Sequence, residues 1–309
     1  MYRQKTVGVV VPAYNEESLI AGTVESMPSY VDRVFVVDDG STDATFEAAK
    51  KAGYGRLTIL RHERNMGVGA AIVTGYKAAL DFGCDLVAVM AGDAQMDPSQ
   101  LPKLLDPLVD GRCDYSKGNR LLSPAVRRGM PPIRLFGNSI LSFMTKVASG
   151  FWDVLDPQNG YAATSRQVLE TIQLDGLYPR YGYPNDMLIK LNAYGFRVCD
   201  VVMPPKYGSE RSKIRLYSYT PTVLLLLIKG FFWRMKEKYV IQSLHPLVFF
   251  YMTGLLILPL GILTGLYMAY LRLHGPITAG SIILPVFLII TGLQSLFFGM
   301  LFDMEAGKR

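Results

Sequence analysis

An open α/β sheet followed by a membrane hairpin is the fold class this sequence predicts. Two observations carry it. Four short runs rich in Val, Ile and Leu, at 6–11, 33–37, 57–61 and 86–90, alternate with helical patterns over the first 120 residues. Near the C-terminus, two long runs without a charge lie back to back. The short runs are apolar on both faces, as strands of a parallel sheet covered by helices must be. The alternation βαβα points to an open sheet.

The helices between the strands have recognisable ends. One is expected directly after Asn15, with Glu16 and Glu17 in its first turn, where acids suit the helix dipole. A second is expected from the cluster Ser41-Thr42-Asp43 to Gly53, a C-cap residue. A third, over 69–82, carries Ala71, Val73, Ala78 and Leu80.

The tail differs in kind. Residues 247–271 and 277–302 carry no charge and are separated by a polar break at 272–276. The first run, 25 residues, makes a helix of roughly 37 Å, enough to cross a bilayer with tilt. The pair predicts a two-helix transmembrane hairpin. Mean hydropathy over the chain is +0.21.

Formal net charge is +6, and its placement excludes some partners. Residues 206–238 hold eight basic side chains (Lys206, Arg211, Lys213, Arg215, Lys229, Arg234, Lys236, Lys238) against Glu210 and Glu237. That excess sits just before the apolar tail. It suits an anionic membrane surface and not a nucleic-acid groove. The positive-inside rule puts this flank in the cytoplasm, and a hairpin returns Lys308 and Arg309 to the same side. The N-terminal apolar run breaks at Pro12, too short for a signal peptide, so the catalytic part is expected to be cytosolic. Residues 215–239 are too charged to span and read either as an amphipathic interfacial helix or as a linker helix packed on the domain. The division expected is therefore 1–214 catalytic, 215–244 interfacial helices, and 245–309 hairpin. Two spans are few for an independent bundle, which leaves room for a homo-oligomer. Cys84, Cys113 and Cys199 have no metal-ligand spacing and read as small buried side chains in a reducing compartment.

Ligands of open α/β sheets bind beyond the carboxyl ends of the strands. Each strand here runs into a polar segment: Pro12-Ala13-Tyr14-Asn15-Glu16, Asp38-Asp39-Gly40-Ser41-Thr42-Asp43, Arg64-Asn65-Met66-Gly67-Val68-Gly69, and Gly92-Asp93-Ala94-Gln95-Met96-Asp97. Any one of these turns could be an ordinary helix cap; four on one edge point to a ligand. Asp38 and Asp39 can accept hydrogen bonds from a base or ribose. Gly67 and Gly69 permit close backbone approach to a ligand. Asp93 and Gln95 offer oxygen ligands of the kind a hard divalent cation takes beside phosphates.

Taken in order, these motifs resemble the family-2 inverting glycosyltransferases of GT-A fold, and within them the dolichol-phosphate mannose synthase and polyprenyl-phosphate glucosyltransferase group. The resemblance covers about residues 6–215 and implies a Rossmann-like GT-A sheet. It implies that Pro12, Tyr14, Glu16, Asp38, Asp39, Gly67, Gly92, Asp93 and Gln95 bind a nucleotide-sugar, with Mg2+ or Mn2+ on Asp93 and Gln95. The group's Asp-x-Asp-x-Gln motif has lost its first aspartate, replaced by Ala91; Asp39 or Asp97 is a possible compensating ligand. Lys117-Gly118-Asn119-Arg120 resembles the segment whose arginine binds a lipid phosphate. Arg134 and Asn138, four apart, resemble an Arg and a Ser that reach the same phosphate. Ser209-Glu210-Arg211-Ser212-Lys213 resembles a basic loop that closes over it. Asp156-Pro157-Gln158-Asn159-Gly160 resembles the turn lining the sugar pocket, and Asp186 lies where relatives carry an acid.

The activity so implied is transfer of a hexose, from GDP-mannose or from UDP-glucose or a UDP-N-acetylhexosamine, onto a polyprenyl (dolichyl-type) phosphate at the cell membrane. A phosphate acceptor, with a second pKa of about 6, needs no general base, and His62, His245 and His274 read as structural or interfacial. Two other readings stay open: a processive polysaccharide synthase, whose Gln-x-x-Arg-Trp motif is missing here, and a non-catalytic membrane scaffold, which the loss at Ala91 favours slightly.

Overall fold

The computed structural model describes residues 1–52, 55–120, 132–204, 216–276 and 278–307. They form two compact units, Met1–Phe231 and Phe232–Arg309. The first is built on one seven-stranded sheet of order β3-β2-β1-β4-β6-β5-β7. Its strands are β1 (Val7–Ala13), β2 (Arg33–Asp38), β3 (Leu57–Arg61), β4 (Leu86–Val89), β5 (Tyr115–Asn119), β6 (Ala162–Ser165) and β7 (Val198–Val202). The first four are mutually parallel; β6 runs antiparallel to both β4 and β5, and β5 pairs parallel with β7.

The helices of this unit are α1 (Ile20–Glu25), α2 (Thr45–Lys51), α3 (Val68–Phe82), α4 (Leu101–Val109), α5 (Pro132–Ser149), α6 (Arg166–Thr171), α7 (Tyr183–Ala193) and α8 (Leu216–Arg234), the last crossing the unit boundary. They cover both faces of the sheet. Val9, Val11, Val34 and Val36 pack with Ile20, Ala49, Leu101 and Leu104 on one side. Their neighbours Val10 and Phe35 pack with Ile72, Tyr76 and Leu188 on the other. That period of two explains why β1 and β2 read as unbroken apolar runs.

Two helix starts differ from expectation. α1 begins at Ile20, not directly after Asn15, because Asn15 takes a positive φ of 55° and the next residues are tied to the neighbouring loop. Glu16 N–H donates to Thr45 Oγ1 (2.8 Å), and Glu17 accepts from Ala44 N–H (3.0 Å). The backbone of Glu16 and the carboxylate of Glu17 thus stitch two loops together, ahead of α1. α2 begins at Thr45, whose N–H is held by Asp43 (3.0 Å); Gly53 lies outside the described residues.

α8 packs one side of itself onto the domain. Val223, Leu227 and Phe231 are buried, and Ile189 of α7 lies against Gly230. Leu224, Leu225 and Ile228 face outward, leaving an apolar strip exposed.

The second unit is the hairpin: α9 (Leu247–His274) and α10 (Ala279–Ala306), each longer than the uncharged run that predicts it. Both are long and apolar enough to cross a membrane. Gly254 faces Leu296, Gly261 faces Ile289, and Gly292 faces Leu258, so the backbones approach closely, as small residues allow in lipid. Outward side chains are large and apolar, with Leu256 73% and Phe287 63% exposed. Water would be a poor solvent for that surface.

Candidate functional site

The strand order reverses between β1 and β4, since β2 and β3 lie to one side of β1 and all later strands to the other. That reversal opens a crevice at the carboxyl edge of the sheet. Pro12 and Gly92 flank it and are joined by a backbone hydrogen bond, Gly92 N–H to Pro12 O (3.1 Å). Beyond them lie Tyr14, 40% exposed, and the turn holding Asp93 and Gln95.

Asp38 ends β2 with no exposure. Its Oδ1 accepts from Ser41 N–H (2.9 Å), and its Oδ2 lies 3.1 Å from Arg61 Nε but makes no hydrogen bond. A buried carboxylate oxygen with an open acceptor site suits a ligand N–H or O–H. Asp39, its neighbour, is fully used by the chain. Oδ2 accepts from Gly67 N–H (2.8 Å), and Oδ1 from Met66 N–H (2.9 Å), with His62 Nδ1 at 2.7 Å. His62 Nε2 in turn meets Thr74 Oγ1 (2.9 Å). Asp39 and His62 therefore shape the 62–67 loop. Gly67 and Gly69 lie against backbone of the 178–179 segment. A Cβ on Gly67 would stand 2.4 Å from Pro179 O, and one on Gly69 2.2 Å from Tyr178 O. The backbone that approaches them is the chain's own, and Ala70 N–H donates to Pro179 O (3.0 Å).

Asp186 secures that same 178–179 segment: its Oδ2 accepts from Tyr178 N–H (2.8 Å) and pairs with Lys190 (3.0 Å). A Gly69→Ala variant should test the packing. Helix propensity favours alanine by about 1 kcal/mol, but overpacking against a backbone carbonyl costs about 1–3 kcal/mol. The expected outcome is a net loss of stability, read as a lower unfolding midpoint in detergent.

Asp93 is partly exposed, and its Oδ1 accepts from Gln95 N–H (3.1 Å) in a turn where Ala94 takes a positive φ of 57°. Asp97 follows in the next turn. Its carboxylate caps the next turn, accepting from Ser99 N–H (3.0 Å) and Ser99 Oγ (2.7 Å). Asp39 is equally committed elsewhere. Among the described residues, no three His, Cys, Asp or Glu side chains gather as a metal site.

At the far side of the edge, β5 ends in Asn119 and Arg120. The pairing of β4, β6 and β5 puts this end level with Asp93. Asp156, buried, faces Arg120: Oδ2 accepts from Arg120 Nε (2.9 Å) and from its backbone N–H (3.2 Å), and Oδ1 from Nη2 (3.3 Å). Lys117, fully buried, donates to Asp156 O. Burial pulls its ammonium down to about 8, against the attraction of Asp156 and Asp200. Burial also pushes the Asp200 carboxyl up. Asn159 is spent on β5, donating to Gly118 O (2.7 Å). The turn 156–160 thus braces β5, and Tyr161 OH bonds Asp97 O (3.0 Å), linking it to the Asp93 turn. Arg134 and Asn138 fall on α5, but their side chains, like Arg211 and Lys213, lie outside the described part of the structure.

A sheet parallel through its first four strands, with Asp38 and Asp93 at the edge where its order reverses and a charge-balanced arginine two strands away, defines an open α/β protein of the class that binds ligands at such a switch point. Comparison with known proteins narrows it. Residues 8–173 match Glycosyl transferase family 2, and the chain belongs to that family. It is 30% identical over 200 residues to UDP-N-acetylglucosamine--dolichyl-phosphate N-acetylglucosaminyltransferase of Methanococcus voltae, covering 60% of this chain and 79% of that one. It is 27% identical over 175 residues to dolichol-phosphate mannosyltransferase of Pyrococcus furiosus, covering 55% of this chain and 49% of that one. Among solved structures, glucosyl-3-phosphoglycerate synthase from Mycobacterium tuberculosis, in complex with Mn2+, UDP and phosphoglyceric acid, is similar with a TM-score of 0.56 and 22% identity, over 75% of this chain and 78% of that one. That likeness speaks for the GT-A fold.

Proposed function

We propose that the protein transfers a sugar from a nucleotide-sugar to a polyprenyl phosphate at the cytoplasmic face of a membrane. One observation carries the reading: a single sheet edge holds Asp38 and Asp93 in one half and the Arg120–Asp156 pair in the other, in a chain that also carries two long apolar helices. Adjacent strands lie about 4.8 Å apart, so β2 to β4 and β4 to β5 are each about 10 Å. Asp38 is then in reach of the base or ribose, Asp93 of the diphosphate, and Arg120 of the acceptor phosphate. The nucleotide-sugar and acceptor named for the two relatives support this assignment, and their different sugars leave the donor sugar to experiment.

The two phosphates must approach one another, and the chain's task is to hold them in line with the anomeric carbon. Arg120, with Arg134, Asn138, Arg211 and Lys213, is assigned to the acceptor. Pro12, Tyr14, Glu16 and Gly92 border the crevice assigned to the donor. A dianionic acceptor attacks without a base, and a single displacement inverts the anomeric centre. A divalent cation, bound, would neutralise charge on the leaving diphosphate. Asp93 and Gln95 fit one only in a limited sense. One carboxylate and one amide suffice for Mg2+ or Mn2+ when phosphate oxygens complete the shell. Metal binding should therefore depend on nucleotide: Mn2+ titrated into protein alone should give no heat at submillimolar concentrations, and should bind when UDP or GDP is present. Equal Mn2+ affinity with and without nucleotide would contradict this site.

The lysines and arginines before α9 support a cytoplasmic catalytic unit. The direct test is a panel of radiolabelled nucleotide-sugars, with membranes and polyprenyl phosphates, with and without EDTA. Label in organic-soluble lipid supports the reading. Donor binding without transfer to any polyprenyl phosphate would favour a scaffold.

A further inference from the structure

Asp156 is buried but is not spent on the packing of its own turn. Its carboxylate meets the guanidinium of Arg120, which is 45% exposed, along one edge: Oδ2 on Nε and Oδ1 on Nη2. Arg carries five N–H donors in a rigid plane. Asp156 takes two, and no other side-chain partner of Arg120 is present among the described residues. The edge containing Nη1 is left to a ligand.

The support is deep. Asp200 Oδ2 accepts from Asn119 Nδ2 and from Leu155 N–H, the residues immediately before Arg120 and Asp156. Lys117 donates to the main-chain oxygen of Asp156 itself. The strand end and the turn are thus locked together from below, and the ion pair is fixed at both partners. Such support is what a forked phosphate contact needs, since lost orientation costs more than lost charge at a bidentate site.

Building on the acceptor assignment above, we propose that Asp156 is a positioning residue for the acceptor phosphate: it holds the Nε edge of Arg120 so that the other edge is presented as a fixed fork. A charge-only account makes the opposite prediction. Asp156 is an anion beside the place where a dianion must bind, so its neutralisation should tighten acceptor binding. If orientation dominates, neutralisation should weaken it.

The experiment is steady-state transfer by the full chain in detergent or nanodiscs, with acceptor and donor varied separately. Asp156→Asn should raise the acceptor KM at least about 10-fold while donor KM stays within about twofold. Asp156→Glu should recover part of the loss. In an Arg120→Ala background, Asp156→Asn should add nothing further, because the two residues act as one unit. Arg120→Lys keeps the charge and the carboxylate but loses the fork, and should show the same rise in acceptor KM with an unchanged unfolding midpoint. This variant carries the test if Asp156→Asn misfolds. The proposal is overturned by an unchanged or lower acceptor KM in Asp156→Asn, by an equal effect in the Arg120→Ala background, or by an Arg120→Lys variant like wild type. A wild-type protein that binds donor but is inert toward polyprenyl phosphate overturns the acceptor assignment itself, a result distinct from these.

Discussion

Asp93→Ala is expected to lower turnover by about 10²–10³-fold at saturating donor, the range for loss of one preorganised group facing charge that develops in the transition state. The expectation is this large because the site has no reserve. Ala91 contributes no side-chain oxygen, Asp97 is capped onto Ser99, and Asp39 bonds Met66, Gly67 and His62. The fold should survive. Asp93 is partly exposed, and the hydrogen bond from Gln95 N–H that alanine would remove is worth about 1 kcal/mol. The check is kcat across a Mn2+ titration together with the unfolding midpoint. Near-normal turnover in a folded Asp93→Ala protein would remove the diphosphate from this turn. Gln95→Ala should cost less, because an exposed neutral amide contributes less than a carboxylate.

The acidic half of this site is legible in sequence because it succeeds strands that are themselves legible. β1 to β4 are apolar runs, and a parallel sheet sends their ends to one edge. The half around Arg120 is harder to read. β5 is Tyr-Ser-Lys-Gly-Asn, every residue buried, although its composition is that of a loop. Tertiary partners make it a strand: Asp156, Asp200 and the carbonyl of Leu104 satisfy Lys117, Asn119 and Ser116. Those partners lie 12 to 81 residues away in the chain, beyond the reach of local pattern. Asp38 and Asp39 make the same point at smaller scale. As adjacent identical residues they are interchangeable in sequence, but the fold turns one carboxylate toward Ser41 and Arg61 and the other into the 66–67 turn. The glycines at 67 and 69 do signal close backbone approach, without saying whose backbone approaches. Asp156 is signalled only by the resemblance of its turn to one lining a sugar pocket, and its tie to Arg120 is not: by pattern, an acid in a Pro-Gln-Asn-Gly turn reads first as turn chemistry.

The second large effect is expected within the hairpin unit, far from any reacting atom. Arg234 and Asp303 are both fully buried and form a forked pair, Nη1 to Oδ1 and Nη2 to Oδ2, each 2.8 Å. Tyr239 OH donates to the same Asp303 Oδ1 (2.6 Å). The pair joins the end of α8 to the last turns of α10, across the π-helical segment Met235–Ile241. Asp303→Ala should cost about 3–5 kcal/mol, because it strands a desolvated guanidinium. Removing both charges should cost far less. Replacing Arg234 with Met and Asp303 with Leu, together with Tyr239→Phe to avoid an orphan hydroxyl, should recover most of the stability, since the pair's own attraction is largely offset by its desolvation. Reversible unfolding in mixed micelles, followed by circular dichroism, distinguishes the cases. A triple variant as unstable as Asp303→Ala would mean that the ion pair itself stabilises the hairpin and is not merely tolerated there. An Asp303→Ala protein of wild-type stability would mean that water reaches Arg234 and that the pair is not buried in the membrane-embedded protein. The outcome bears on function as well: with the anchor loosened but the sheet edge intact, acceptor KM should rise for long-chain polyprenyl phosphates and stay nearly constant for short, water-soluble ones.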